Sequence, residues 1–249
     1  MKRGGGLRNR LVAWVMLVSG LILVAVMLFG YTVSRTRLEQ DMKTRASSLA
    51  DGAARRIDAQ LGLMQGVVEG MALSLKTRGL TMPQEEIRAL QNRVLEQYSE
   101  IYGVCLGLEP DAAPAGWTDL APWSYRAGGR ICYENLDGRA HDHTREDWYT
   151  LPRYLACPVW TEPYAWNGVV MVTYSVPLFL PDAAGGENRF VGVITCDLAL
   201  DWLEIMLADL PLGQKGYGIL LSRNGVFIAH PQREKVLNET IFSEAEERG

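Results

Sequence analysis

Between Arg10 and Arg35 run 24 uncharged residues, Leu11 to Ser34, dominated by Leu, Val, Met, Ile and Phe. At 1.5 Å per residue they make a helix of roughly 36 Å, enough for a hydrocarbon core of about 30 Å. A cleaved secretory signal has a shorter apolar region of about 7–15 residues and ends in small residues. Phe29-Gly30-Tyr31-Thr32-Val33 offers no Ala-x-Ala, so residues 11–34 read as a retained transmembrane helix behind a cytoplasmic tail, 1–10. The basic residues nearly tie across this segment, with Lys2, Arg3, Arg8 and Arg10 before it and Arg35, Arg37, Lys43 and Arg45 after it. The short, purely basic tail tips the orientation, placing the rest of the chain outside the inner membrane. No second apolar run of that length occurs, so the expectation is a single pass with a periplasmic or extracellular domain.

Charge separates the two parts. Residues 1–45 carry a net +6 and the remaining 204 a net −10. So acidic a domain lacks the clustered Lys and Arg that phosphate neutralisation needs, which sets nucleic acid aside as a partner. A length of 249 residues allows one or two domains.

Beyond the membrane segment an apolar or small stripe recurs at Leu38, Met42, Ala46, Leu49, Ala53, Ile57, Leu61, Met64, Val68, Met71 and Leu75, without a Pro. Its mean period of 3.7 is helical. This predicts a stalk helix over 35–79, ended by Gly79, which must bury its stripe on a domain, on a second copy, or on both. Aligned stalks imply a parallel homodimer. A break near Gly62 or Gly66 is the alternative. Thr81-Met82-Pro83-Gln84 has the form of a capping box opening a helix over 82–98, with Ile87, Leu90, Val94 and Tyr98 inward.

The period then changes to two. Residues 101–108, 123–127, 130–135, 169–179 and 190–197 read as strands, rich in Val, Ile, Tyr and Trp. In the fourth, Val170, Val172, Tyr174, Val176 and Leu178 share one face. A helix over 201–210 would turn Trp202, Ile205 and Met206 inward. Asn224-Gly225 between two short apolar runs marks a hairpin. A run of β elements behind a helical stalk makes the fold class α+β. Because one hairpin is marginal by itself, residues 211–249 read as the start of a second, incomplete module, and 80–210 as the first.

Residues 117–174 hold five of the seven Trp and six of the ten Tyr, Tyr133 and Tyr174 among them. Rings exclude water while hydroxyls and indole N–H groups give directional bonds, which suits capture of a small molecule. Asp197 ends an otherwise apolar strand, on the same face as Val191, Val193 and Thr195. A carboxylate there is costly unless paired, and a ligand ammonium is one available partner. Two plainer readings stand beside this one: Asp197 caps the following helix, and the aromatics are solid core. His141-Asp142-His143 reads as a polar loop, since two nearby ligands do not complete a metal site. Cys105, Cys132, Cys157 and Cys196 permit disulfides outside the membrane without fixing a pairing. No hydrolase, zinc-protease, P-loop or kinase signature occurs. Neither an enzymatic activity nor a cofactor is therefore expected; a hydrolase built on Asp197, Glu162 or His141 lacks a nucleophile–base pair.

Trp148-Tyr149, Pro158-Val159-Trp160-Thr161-Glu162-Pro163-Tyr164, Val172-Thr173-Tyr174-Ser175-Val176-Pro177-Leu178 and Phe190-Val191-Gly192-Val193-Ile194-Thr195-Cys196-Asp197-Leu198 together resemble the double Cache sensor domains of bacterial membrane receptors. The stalk and Gly216 to Pro231 fit the same layout, so the resemblance covers about 35–240. It implies a PAS-like antiparallel sheet in each module and ligand binding in the membrane-distal one. It also implies an output module beyond a second membrane helix. In amino-acid-binding members an Arg and a Trp near the Trp-Tyr pair hold the ligand carboxylate, while Tyr and the strand-end Asp hold its amino group. Trp148, Tyr149, Tyr164 and Asp197 match that pattern. Its Arg stands two before the Trp, where this chain has Glu146, and Arg145 stands three before. The expected ligand is thus an amino acid, amine or carboxylate. Its candidate contacts are Arg145, Trp148, Tyr149, Tyr164 and Asp197, with Tyr133 and Tyr174 beside them. An anchored scaffold with no ligand is the rival reading.

Overall fold

The computed structural model describes residues 6–138, 141–181, 188–212 and 216–248. The chain divides into two compact units, one reaching Gly52 and the other beginning at Ala53. Helix α1 (Gly6–Arg78) runs unbroken through Gly62 and Gly66. It is the one helix, among the described residues, long and apolar enough to cross a membrane.

In the second unit follow α2 (Gln84–Gln97), β1 (Gly103–Leu108), β2 (Pro122–Ala127), β3 (Arg130–Asn135) and α3 (Asp147–Leu155). Then come β4 (Val159–Trp160), β5 (Tyr164–Trp166), β6 (Val169–Pro181), β7 (Asn188–Ala199) and α4 (Asp201–Ala208). The hairpin β8 (Leu220–Leu221) and β9 (Phe227–Ala229) precedes α5 (Ile241–Arg248). Seven strands form one antiparallel sheet in the order β3-β2-β1-β7-β6-β4, with β5 also on β6. The fold is α+β, as the switch in period predicts.

One face of this sheet packs on helices. Val176, Leu178 and Ile194 join Met64, Val68, Met71 and Leu75 of α1 and Ile87 and Leu95 of α2 in a single core. The stripe of α1 is covered from Ala53 onward, while Leu38 and Met42, in the other unit, are exposed. Tyr174 Oη donates to Glu69 Oε1 of α1 at 2.7 Å, and the Tyr174 ring lies against Trp160. The other face carries Trp123, Trp148, Tyr149, Val193 and Cys105 in a second, smaller core. Both faces of β6 and β7 are therefore buried, which explains their length and apolar composition.

Three expectations need correction. Thr81 forms no capping box; its hydroxyl donates back to the Arg78 carbonyl, and Pro83 occupies the cap position of α2. The buried face of α2 is Ile87, Gln91 and Leu95, because Gln91 Nε2 donates to the Pro122 carbonyl at 2.8 Å and its Oε1 accepts from Ser124 Oγ at 3.1 Å. That pair ties the helix to β2 and rotates it past the purely apolar stripe. In α4, Leu203, Met206 and Leu207 are inward and Ile205 points out. Gly79 ends α1 in the left-handed region and Gly225 turns the hairpin there, as expected. All four cysteines are free.

Candidate functional site

Antiparallel pairing sets Asp197 of β7 opposite Gly103 of β1 on one side and Thr173 of β6 on the other. The Asp197 side chain enters the smaller core and is 4% exposed. Its Oδ2 accepts from Trp123 Nε1 at 2.8 Å and its Oδ1 from Thr173 Oγ1 at 2.7 Å. Tyr164 Oη lies 2.7 Å from Thr173 Oγ1. Since Thr173 has one hydroxyl proton and gives it to the carboxylate, Tyr164 must donate to Thr173. The chain of bonds therefore points one way, from phenol to hydroxyl to carboxylate. The cap position of α4 is Leu200, with no side-chain cap bond, so Asp197 does not cap that helix.

This convergence depends on a missing side chain. A Cβ at Gly103 would stand 2.4 Å from Trp123 Nε1 and 2.6 Å from Asp197 Oδ2. Similarly, a Cβ at Gly107 would stand 2.9 Å from the Trp148 ring. Both glycines lie on β1 and admit side chains from neighbouring elements into the space above it.

A small hollow opens beside Asp197. Trp123, Trp148, Tyr164 and Trp166 supply its aromatic walls, while His141 and Glu146 add polar groups. His141 Nδ1 is 3.7 Å from Glu146 Oε1, and the His141 and Trp166 ring centres are 4.9 Å apart. Trp166 Nε1 is buried and has no partner among the described residues. Among the described residues no Lys or Arg lines the cavity. Burial pushes the Asp197 carboxyl above its usual range, and the bonds from Thr173 and Trp123 hold it partly back. Burial and the Asp197 charge together push the Tyr164 phenol and the Cys105 thiol up. The hollow thus combines one buried carboxylate, neutral donors already committed to it, and aromatic walls. Its chemistry suits a cation with N–H groups.

Trp148, Tyr164 and Asp197 meet at this hollow. Four other candidates lie elsewhere. The Arg145 side chain is 84% exposed, with its Nε 3.5 Å from Asp142 Oδ2. Tyr149 lies behind Trp148, edge-on to it, and its hydroxyl donates to Glu109, which also pairs with Arg153. Tyr133 sits on β3 with its hydroxyl on Asp119 and the Arg88 guanidinium over its ring. Tyr174 faces the opposite side of the sheet, toward α1. Trp123 and Trp166 are lining residues that sequence reasoning did not single out, and His141 and Glu146 are ones it named without assigning them to ligand contact. Trp123 is 74 residues from its partner Asp197, so only strand register brings them together.

Comparison with known proteins places this geometry. Residues 87–205 match the family model described as the first PDC sensor domain of methyl-accepting chemotaxis protein-like proteins. The chain is 24% identical over 240 residues to the methyl-accepting chemotaxis protein PscA of Pseudomonas syringae pv. tomato, covering 95% of this chain. It spans 34% of the length of that relative. Among solved structures, the extracellular domain of the candidate histidine kinase mmHK1S-Z2 superposes with a TM-score of 0.63 at 26% identity, covering 74% of this chain and 71% of that one. The ligand-binding domain of the Pseudomonas aeruginosa amino-acid chemoreceptor PctC, in complex with GABA, gives a TM-score of 0.52 at 23% identity, covering 79% and 78%.

Proposed function

We propose, on the premise that residues 87–205 are a PDC sensor domain of the double Cache kind, that this chain is the anchored sensory portion of a bacterial receptor. Its ligand is a small molecule carrying a protonated amine. The observation that supports this is Asp197, a buried carboxylate beside an aromatic hollow whose side-chain donors, Thr173 and Trp123, are neutral. A ligand ammonium supplies the missing charge and can also donate to Tyr164 Oη, whose proton is committed to Thr173. The indole N–H of Trp166 and the imidazole of His141 supply partners for a polar group at the ligand's other end, so amino acids belong to the class. The complex of PctC with GABA, an amine with a carboxylate, points to the same chemistry on the same fold.

In this reading residues 11–34 cross the inner membrane, 80–210 form the membrane-distal, ligand-binding module outside it, and 211–249 begin a second module. Output, kinase or chemotactic, belongs to the rest of the receptor. The role is binding, and ligand energy acts only through a difference in affinity between two arrangements of the domain.

The test is calorimetric titration of the full chain in detergent micelles with amino acids, amines and carboxylates, repeated on Asp197→Asn and Trp148→Ala. Amines and amino acids should bind wild type and lose at least tenfold in both variants, while carboxylates without an amine should not bind. Absence of any binder would favour a scaffold, and turnover of a compound would favour an enzyme.

A further inference from the structure

The loop that brings His141 to the hollow also contains a second cluster with a different chemistry. His143, in the short 3-10 turn before α3, is fully buried. Its Nε2 lies 3.0 Å from the Leu108 carbonyl oxygen and its Nδ1 lies 3.0 Å from Asp137 Oδ1. A carbonyl only accepts, so Nε2 carries a proton and donates it. In a neutral ring, Nδ1 then turns a lone pair toward a carboxylate oxygen. Two acceptors at that distance need a positive charge between or upon them. Asp142 stands alongside, and one ligand atom from each of Asp137, Asp142 and His143 lies within 4.8 Å of the other two.

We infer that Asp137, Asp142 and His143 form a binding site for a first-row divalent cation that takes mixed nitrogen and oxygen ligands, such as Zn²⁺ or Mn²⁺. Three features carry the inference. Two ligands each about 2.1 Å from a cation stand about 3.0 Å apart at a right angle and about 3.4 Å apart at a tetrahedral one, so the 3.0 Å between Nδ1 and Oδ1 is close to what a shared cation needs. The Leu108 carbonyl holds the imidazole by its outer nitrogen, the arrangement that fixes the tautomer and orientation of a ligating histidine. Two carboxylates and a neutral imidazole balance a divalent charge, and the exposed side of Asp142 leaves positions for water. The Thr144 hydroxyl and backbone N–H both donate to Asp142 Oδ1 and hold that side chain in place. The His pair in the sequence, His141 and His143, is not the pair the fold uses; Asp137 completes the set from two residues beyond β3.

The site lies directly behind the hollow, since the His143 ring is stacked against Trp148 with centres 6.2 Å apart. A bound cation would tie Asp137 to Asp142 and His143, the near neighbours of His141.

The experiment uses the full chain in micelles, without a histidine tag and in a Cys157→Ser background, because that exposed thiol is itself a zinc ligand. Zn²⁺ and Mn²⁺ are titrated by calorimetry, and the His143 nitrogens are followed by ¹⁵N NMR on adding Zn²⁺. Asp142→Asn is the comparison, since Asn caps the turn as well as Asp but brings no charge. Wild type should bind one equivalent, Asp142→Asn should bind about tenfold or more weakly, and His143 should exchange the Nδ1 proton for metal while keeping Nε2–H. Equal affinity in the two proteins, or an Nδ1–H signal that persists with saturating Zn²⁺, overturns the site and leaves an imidazolium–carboxylate pair.

Discussion

Asp197 costs the unliganded domain stability, and its sign follows from the direction of its shift. The folded carboxyl holds its proton more tightly than the unfolded one, so its contribution to stability is most favourable in acid and falls as pH rises from the ordinary carboxylate range through the raised folded value. Asp197→Asn should remove that penalty at neutral pH. A gain of about 1 kcal/mol would raise Tm by roughly 2–4 °C in a chain this size, read by differential scanning calorimetry. The same variant should lose amine affinity, so stability and binding move in opposite directions. In wild type, amine affinity should fall on acidification at a pH above that at which a free carboxylate titrates, because the protonated Asp197 has no charge to offer. Gly103→Ala should act differently, lowering both. Its Cβ meets Trp123 and Asp197 below 3 Å, and an overpacked site of this kind costs about 1–3 kcal/mol in denaturant unfolding.

Among the elements, the sheet was legible and the site only partly so. Strands β1, β2, β3, β6 and β7 announce themselves by β-branched and aromatic runs, and the alternate residues of β6 from Val170 to Leu178 do face one core. The two-residue β4 and three-residue β5 escape such reading, because so few residues carry no period. Gln91 hides for another reason: a polar residue on a buried helix face is legible only once Ser124 and the Pro122 carbonyl are seen to satisfy it. Gln91→Ala should leave that hydroxyl and carbonyl unpaired between α2 and β2, lowering unfolding free energy by about 1–3 kcal/mol. At the hollow, Trp148, Tyr164 and Asp197 could be named from the resemblance. Arg145, beside Trp148 in sequence, is carried to the surface because the 3-10 turn from His143 to Arg145 aims its side chain at Asp142. Trp123, Trp166 and Glu146 are assembled by pairing between strands and by the loop before α3, which no local pattern encodes.

At the scale of the whole molecule, topology is testable with one thiol. Cys157 is exposed and, in a Cys132→Ser background that removes the half-buried thiol, is the accessible one, since Cys105 and Cys196 are buried. A membrane-impermeant maleimide should label Cys157 in intact spheroplasts, and labelling that requires lysis would place the domain on the other side. The uncovered apolar positions Leu38 and Met42 are where a second copy would add contact. Crosslinking of single cysteines placed at those two positions reads that directly. Finally, Thr173 and Tyr174 are consecutive on β6 and project to opposite faces. The first grips Asp197 and Tyr164 at the hollow; the second grips Glu69 on α1. On the proposed reading, a single peptide unit therefore separates the groups that would hold a guest from helix α1. No relay of intervening side chains is needed, and a tilt of that one unit is mechanically common to both. Tyr174→Phe should leave guest affinity intact yet erase its effect on amide exchange in α1 around Glu69, cutting the message without deafening the receiver.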